Sequence, residues 1–244
     1  MKIRKKLWSW LIAVVLVLSV AAAGANVWVE QQYPYGEAAA AALVPSDAVN
    51  VIQADDAICF IPAQAKAGFI FYPGALVPAR AYAPLMQALA QEGVLCVVPQ
   101  MPLRLAILDM YAADGIAGQY PDVSRWSVGG HSLGGTMAAS CAAAHAEDYA
   151  ALVLLAAYAT SGVPESMAAV SVYGDRDQVL NLEKYAAYRS NLPADAAEVV
   201  IPGGNHAQFG DYGHQKGDGQ AAVSAQEQLE QTVQAILPVL LGQR

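Results

Sequence analysis

A single serine in this sequence is framed by glycines in the manner of a nucleophile. Residues 126–136 read WSVGGHSLGGT, in which an apolar run enters Gly130-His131-Ser132-Leu133-Gly134 and an alanine-rich helical pattern leaves it. A G-x-S-x-G between a strand and a helix forms a sharp turn that lifts the serine hydroxyl above the sheet edge. Gly130 and Gly134 belong there because side chains two positions before and after the serine would collide with the neighbouring strand and helix. The helix N-terminus behind Ser132 favours developing negative charge. No Walker lysine and no G-x-G-x-x-G accompany these glycines, which argues against a nucleotide-phosphate loop.

A serine hydroxyl is a weak nucleophile at neutral pH and needs a base, and the base needs an orienting carboxylate. When the nucleophile sits at such an elbow, the acid and then the histidine follow it in the chain. The histidines after Ser132 are His145, His206 and His214. His145 closes the alanine-rich helix, where a cation suits the dipole, and reads as a helix-end residue. His214 stands among polar residues and reads as a solvated or loop-bracing histidine. His206 follows the last strand-like run in a Gly-Gly-Asn turn that can aim a side chain over the sheet edge, and it is the expected base. The acid should leave the preceding strand. SVYGDRDQVL offers Asp175 and Asp177. Asp177 is preferred for its reach past the turn, and Asp175 reads as a turn brace.

An oxyanion needs two backbone donors. The first is the N–H of Leu133, directly after the nucleophile. The second must come from the loop after GFIFY, which reads PGALVPARAY. Pro73 has no N–H, which leaves Gly74 or Ala75, with Ala75 preferred. A metal centre built from His206, Asp211, His214 and Asp218 is disfavoured, because their spacing fits no regular face and no H-E-x-x-H occurs. No cofactor and no metal are expected.

These residues need a rigid frame. Strand-like runs fall at Val49–Gln53, Ile58–Ile61, Gly68–Tyr72, Val94–Val98, Trp126–Gly129, Leu152–Ala156, Ala168–Tyr173 and Glu198–Ile201. Helical patterns fall at Ala79–Gln91, Leu103–Gln119, Leu133–His145, Leu182–Asn191 and Ser224–Leu241, and an alanine run at Ala38–Ala42 is a further helical candidate. GFIFY and LVLLA are apolar on both faces, as in strands covered by helices on each side. The alternation predicts an α/β fold with a mostly parallel, doubly wound sheet of about eight strands. The first two runs have no helix between them and should pair antiparallel at one edge.

The sequence has 244 residues, 13 basic and 21 acidic. Residues 1–29 hold Lys2, Arg4, Lys5 and Lys6 and no acid, so the rest carries 9 basic against 21 acidic residues. An acidic body argues against nucleic-acid binding, which needs a basic face. The uncharged run from Leu7 to Val29 is long enough, at roughly 34 Å as a helix, to cross a bilayer. Positive charges stay on the cytoplasmic side, so the bulk of the chain is expected outside. The expected organisation is a signal-anchor over 1–29, a connector over 30–47 and the catalytic domain over 48–244. Small residues at AAAGA, 21–25, offer a signal-peptidase site that would release the domain instead. Cys59, Cys96 and Cys141 read as small buried hydrophobes.

The stretches GFIFYPGALV, YAPLMQALAQEGVLCVVPQMPLRLAI, GGHSLGG, LVLLAAY, VYGDRD and GGNHAQFGDYGHQKGDG resemble the α/β-hydrolase superfamily. More narrowly, they resemble its bacterial membrane-anchored branch often called α/β-hydrolase fold-5. The resemblance spans roughly residues 48–240. It implies a Ser-Asp-His hydrolase, carried here by Ser132, Asp177 and His206, and an N-terminal anchor. FYPG departs from the His-Gly start common in the superfamily, at the loop that should supply the second oxyanion donor.

The leading expectation is an extracytoplasmic serine hydrolase acting on carboxylic esters through an acyl-enzyme. Its substrate would be a small molecule or a cell-envelope ester. Only the stretch Ala157–Ala168 separates two strands where a lid could be inserted, so an open, shallow site without a large lid domain is expected. The rival expectations are a non-catalytic surface binding protein on the same scaffold and an acyltransferase using the same triad.

Overall fold

The computed structural model describes residues 10, 14–17, 19–20, 24–25, 27–29 and 31–243. Most of the expected anchor over 1–29 therefore lies outside the described residues. Among those described, no helix is long and apolar enough to cross a membrane.

Eight strands form one sheet: β1 (Val49–Gln53), β2 (Ala57–Pro62), β3 (Ala67–Tyr72), β4 (Val94–Pro99), β5 (Trp126–His131), β6 (Ala151–Leu155), β7 (Ala168–Gly174) and β8 (Ala197–Ile201). Their order is β1-β2-β4-β3-β5-β6-β7-β8. β1 pairs antiparallel with β2, and β2 with β4; every later pairing is parallel. The antiparallel pair expected at one edge is there, and each strand-like run of the sequence became a strand. The reason is burial. β3, β4, β5 and β6 are buried at every position, so their sequences are continuous apolar runs that need no partner context to be read.

Two cores flank the sheet, one on each face. Phe69 and Phe71 of β3 point into one, with α2 (Ala83–Gln91) and α5 (Ala225–Leu240) above them. Ile70 and Tyr72 point into the other, beneath α3 (Leu133–Ala144). This alternation is the two-residue period of a strand applied to a sheet covered on both sides. Two further α-helices are α1 (Glu37–Ala42) and α4 (Leu182–Ala187).

The expected helix over Leu103–Gln119 is a correction. That segment forms three separate 3-10 turns, Pro102–Arg104, Ala106–Leu108 and Ala117–Gln119. Its backbone finds partners elsewhere. The Tyr72 hydroxyl donates to Met110 O and accepts from Ala113 N, both at 2.9 Å. Arg104 O accepts from Leu76 N at 2.8 Å. Leu103 and Arg104 adopt φ of 49° and 53°, which no α-helix permits. Helical spacing of apolar residues was present, yet Ile107 and Leu108 are exposed.

The chain order reverses at β3 and β5. From β3 the chain steps one way to β4, then returns to β5 on the other side. A crevice opens outside the carboxyl ends of strands at such a switch point. Both the loop after Tyr72 and the elbow after His131 emerge there, since Tyr72 and Gly130 are register partners.

Candidate active site

Ser132 links β5 to α3 with φ 53° and ψ −125°, a backbone few non-glycine residues adopt. Such a conformation costs on the order of 1–3 kcal/mol and persists only where surroundings impose it. They do so here. The Ser132 amide is held by Leu155 O at 2.9 Å, and its carbonyl accepts from Thr136 N at 3.1 Å. A Cβ on Gly134 would lie 2.2 Å from Pro73 O, and one on Gly130 2.5 Å from Tyr72 O. The two glycines thus let the start of α3 sit directly on the end of β3, as the motif requires.

The last two strands deliver the other two groups. Gly174 ends β7, and a Cβ on it would meet Gly204 O at 2.1 Å. With none present, the turn after β7 and the turn after β8 lie against each other. Arg176 N donates to Gly204 O at 2.9 Å, and Asp175 N to Ile201 O at 3.1 Å. Asp175 is a brace, as expected, accepting from Gly203 N at 2.7 Å. Asp177 then reaches His206: Oδ2 stands 2.8 Å from Nδ1, and both side chains are 1% exposed. The other carboxylate oxygen, Oδ1, accepts from Val179 N and Leu180 N, each at 2.8 Å. A carboxylate so held only accepts, so His206 Nδ1 carries the proton and Nε2 presents its lone pair. That Nε2 is buried and makes no hydrogen bond.

Ser132 and His206 line one cleft of about 280 Å³, together with Leu133, Thr136, Ala157, Tyr158 and Leu180. Apart from His206, no titratable group but the Tyr158 phenol forms its wall. The Leu133 amide is the first of α3 and has no intrahelical acceptor. The Gly74 amide is taken, donating to the Tyr82 hydroxyl at 2.9 Å. Among the described residues the Ala75 amide has no backbone acceptor, and Ala75 is not in the cleft wall.

The remaining candidates lie elsewhere. His145, at the end of α3, bonds Asp114 at 2.9 Å and stacks on Tyr111. His214 is exposed. Two residues weighed as metal ligands hold backbone amides: Asp211 accepts from Ala39 N, and Asp218 accepts from Ala207 N at 2.9 Å and Gly219 N at 2.8 Å. Cys96 and Cys141 are buried, Cys59 partly so, and all three are free thiols.

Several groups that build the site were given no such role by the sequence, Asp218 having been weighed only as a metal ligand. Gln228, fully buried on α5, grips the backbone of Asn205 by both its amide and its carbonyl. Asp218 fastens the amides of His206 and Ala207 from the far end of the same loop. His131 sits 1% exposed with its ring centroid 4.4 Å from that of His206. Burial, and then the neighbouring His206, push its pKa well below the usual histidine range.

The fold and this cleft define an α/β hydrolase. The model of the alpha/beta hydrolase family matches residues 68–230, and the chain belongs to that family. Its fold is similar to Est1E from Butyrivibrio proteoclasticus, at 16% identity and a TM-score of 0.56, over 79% of this chain and 99% of that one. It is also similar to TT1662 from Thermus thermophilus, at 14% identity and a TM-score of 0.55, over 78% and 98% of the two chains. A predicted CIB-like hydrolase from Thermoplasma acidophilum is similar at 13% identity and a TM-score of 0.54, over 78% and 97%. No curated protein sequence matches the chain.

Proposed function

We propose that this protein is an extracytoplasmic serine hydrolase that cleaves carboxylic esters of small, uncharged acyl groups. The observation that carries this reading is the buried Asp177–His206 pair at 2.8 Å, whose free Nε2 shares a cleft with Ser132. Ser132 Oγ rotates toward Nε2, a bond that commonly tightens only with substrate present. It attacks the carbonyl carbon as His206 takes its proton, and Asp177 steadies the imidazolium. The amides of Leu133 and Ala75 receive the oxyanion. The alcohol leaves with the proton from His206, and water, activated by the same histidine, releases the acid.

Esters suit this site better than amides because alcohols leave more readily. A cleft of this size, with no lysine or arginine in its wall, favours a short neutral acyl group. A similar fold, Est1E, has been solved with ferulic acid bound, which supports ester chemistry on this scaffold. The placement outside the cytoplasm rests on the four basic residues ahead of the uncharged run from Leu7 to Val29.

The test is a fluorophosphonate probe with a panel of p-nitrophenyl esters, applied to wild type, Ser132→Ala and His206→Ala. Labelling and turnover in wild type, both lost in each variant, support the reading. Turnover that survives Ser132→Ala removes it. Protease added to intact cells should digest the domain if it faces outward.

A further inference from the structure

A buried hydrogen-bond chain connects the loop expected to hold the oxyanion with the elbow histidine. Gly74 N donates to Tyr82 Oη at 2.9 Å, and Tyr82 Oη stands 2.8 Å from His131 Nδ1. Tyr82 and His131 are at most 1% exposed. The direction of the second bond follows from counting donors. A tyrosine hydroxyl has one proton. If His131 Nδ1 were the donor, both the Tyr82 proton and the lone pair of His131 Nε2 would be left buried and unpaired, whereas a donating Tyr82 leaves only the Nε2 proton, beside the His206 backbone, without a hydrogen bond. Tyr82 therefore donates to Nδ1, and His131 is the neutral tautomer with its proton on Nε2. Its ring then lies against the His206 ring at 4.4 Å.

We propose that Tyr82 and His131 are positioning residues for the reaction: together they lock the 73–76 loop so that Gly74 N is occupied and the next amide, that of Ala75, is left to face the oxyanion. The proposal rests on the reading of Ser132 and His206 given above. Three further features support it. Pro73 cannot donate, so the loop has few amides to offer. Leu76 is fixed at φ 64° and its amide is held by Arg104 O, which pins the other end of the loop. A Cβ on Gly74 would approach His131 Nδ1 to 2.9 Å and Tyr82 Oη to 3.0 Å, so loop and chain are in direct contact. The neutral state of His131 matters as well, because a second cation beside His206 would oppose the imidazolium that forms during acyl transfer.

An oxyanion contact is made only in the transition state, so its misalignment lowers kcat and leaves KM alone. The experiment is steady-state hydrolysis of p-nitrophenyl acetate by the full-length wild type, Tyr82→Phe, His131→Leu, His131→Asn, the double variant Tyr82→Phe/His131→Leu, and Ser132→Ala. Tyr82→Phe and His131→Leu should each lower kcat at least about tenfold with KM within about twofold. The double variant should lose no more than the worse single one, since both break the same chain. His131→Asn, whose Oδ1 can accept the Tyr82 proton, should recover most of kcat. A Tyr82→Phe enzyme that keeps its kcat, a loss confined to KM, or additive losses in the double variant would each overturn the proposal. If Tyr82→Phe does not fold, the contrast between His131→Asn and His131→Leu decides the matter in the same way. Turnover persisting in Ser132→Ala removes the underlying mechanism instead, whatever the Tyr82 variant does.

Discussion

Asp211, five residues past His206, accepts the Ala39 amide on its Oδ2 at 2.8 Å while its main-chain carbonyl accepts from Gly36 N at 2.9 Å. The loop that carries His206 thus also caps the first turn of α1. Tyr33 packs edge-on against Tyr212 at 5.3 Å in the same place. Residues 33–39 are therefore fastened to the loop that follows His206 and do not trail from it. A capping carboxylate is worth roughly 0.5–2 kcal/mol to a helix. Asp211→Ala should release residues 31–45 and expose them to limited proteolysis, with the sheet intact. Digestion at the same rate in wild type and variant would show that the cap does not hold the connector.

Asp177 divides its two oxygens between functions, and Asp177→Asn cannot serve both. An amide group can face its oxygen toward Val179 N and Leu180 N, which turns its NH2 to His206 Nδ1 and forces the wrong tautomer. Reversed, it leaves two buried amides unpaired, at roughly 1–3 kcal/mol each. The first arrangement should lower kcat on the order of 10⁴-fold with little loss of stability. Kinetics and thermal unfolding on one preparation separate the two arrangements. A variant within tenfold of wild-type kcat and with unchanged thermal stability would argue that Asp177 does not orient the base.

The frame was legible in the sequence because burial writes it there. β3 and β6 are covered on both faces, and such strands cannot be anything but apolar runs. The elbow was legible for a different reason: Gly130 and Gly134 respond to backbone atoms of β3 a few ångströms away, a constraint no other residue meets. The 102–119 segment was not legible, since its turns are held by the hydroxyl of Tyr72, some forty positions distant. Tyr82 and His131 were missed similarly. Each reads alone as an aromatic on a helical pattern or as the variable position of the motif, and their bond spans 49 positions. Gln228 and Asp218 look like surface residues until the fold buries one and curls the other beneath His206.

Leu180 stands on the cleft wall beside Ser132 and is 8% exposed. An acyl group held in this cleft would meet its side chain. One methylene too many in a fitted pocket costs about 10–200-fold in discrimination. Wild type should favour acetyl and butyryl esters over long-chain ones, and Leu180→Ala should shift the optimum toward longer acyl groups. The measurement is kcat/KM across a chain-length series. An unchanged profile in the variant would place the acyl group elsewhere.

His131 also predicts how stability responds to acid. Its pKa is depressed in the folded state, first by burial and second by Coulombic repulsion with His206, with a contact to the His206 backbone acting the other way. The groups facing it are His206 with its partner Asp177, Tyr82 and Tyr212. In the unfolded chain the imidazole titrates near 6.5. Below that pH the unfolded state binds a proton that the folded state refuses, so stability falls as pH falls, by up to about 1.4 kcal/mol per unit. Above about pH 6.5 both states are neutral and the effect disappears. Urea midpoints at about pH 7.5 and about pH 5 should therefore differ more for wild type than for His131→Asn, which has no imidazole to protonate. Parallel pH responses in the two proteins would mean that the folded enzyme accommodates a charged His131.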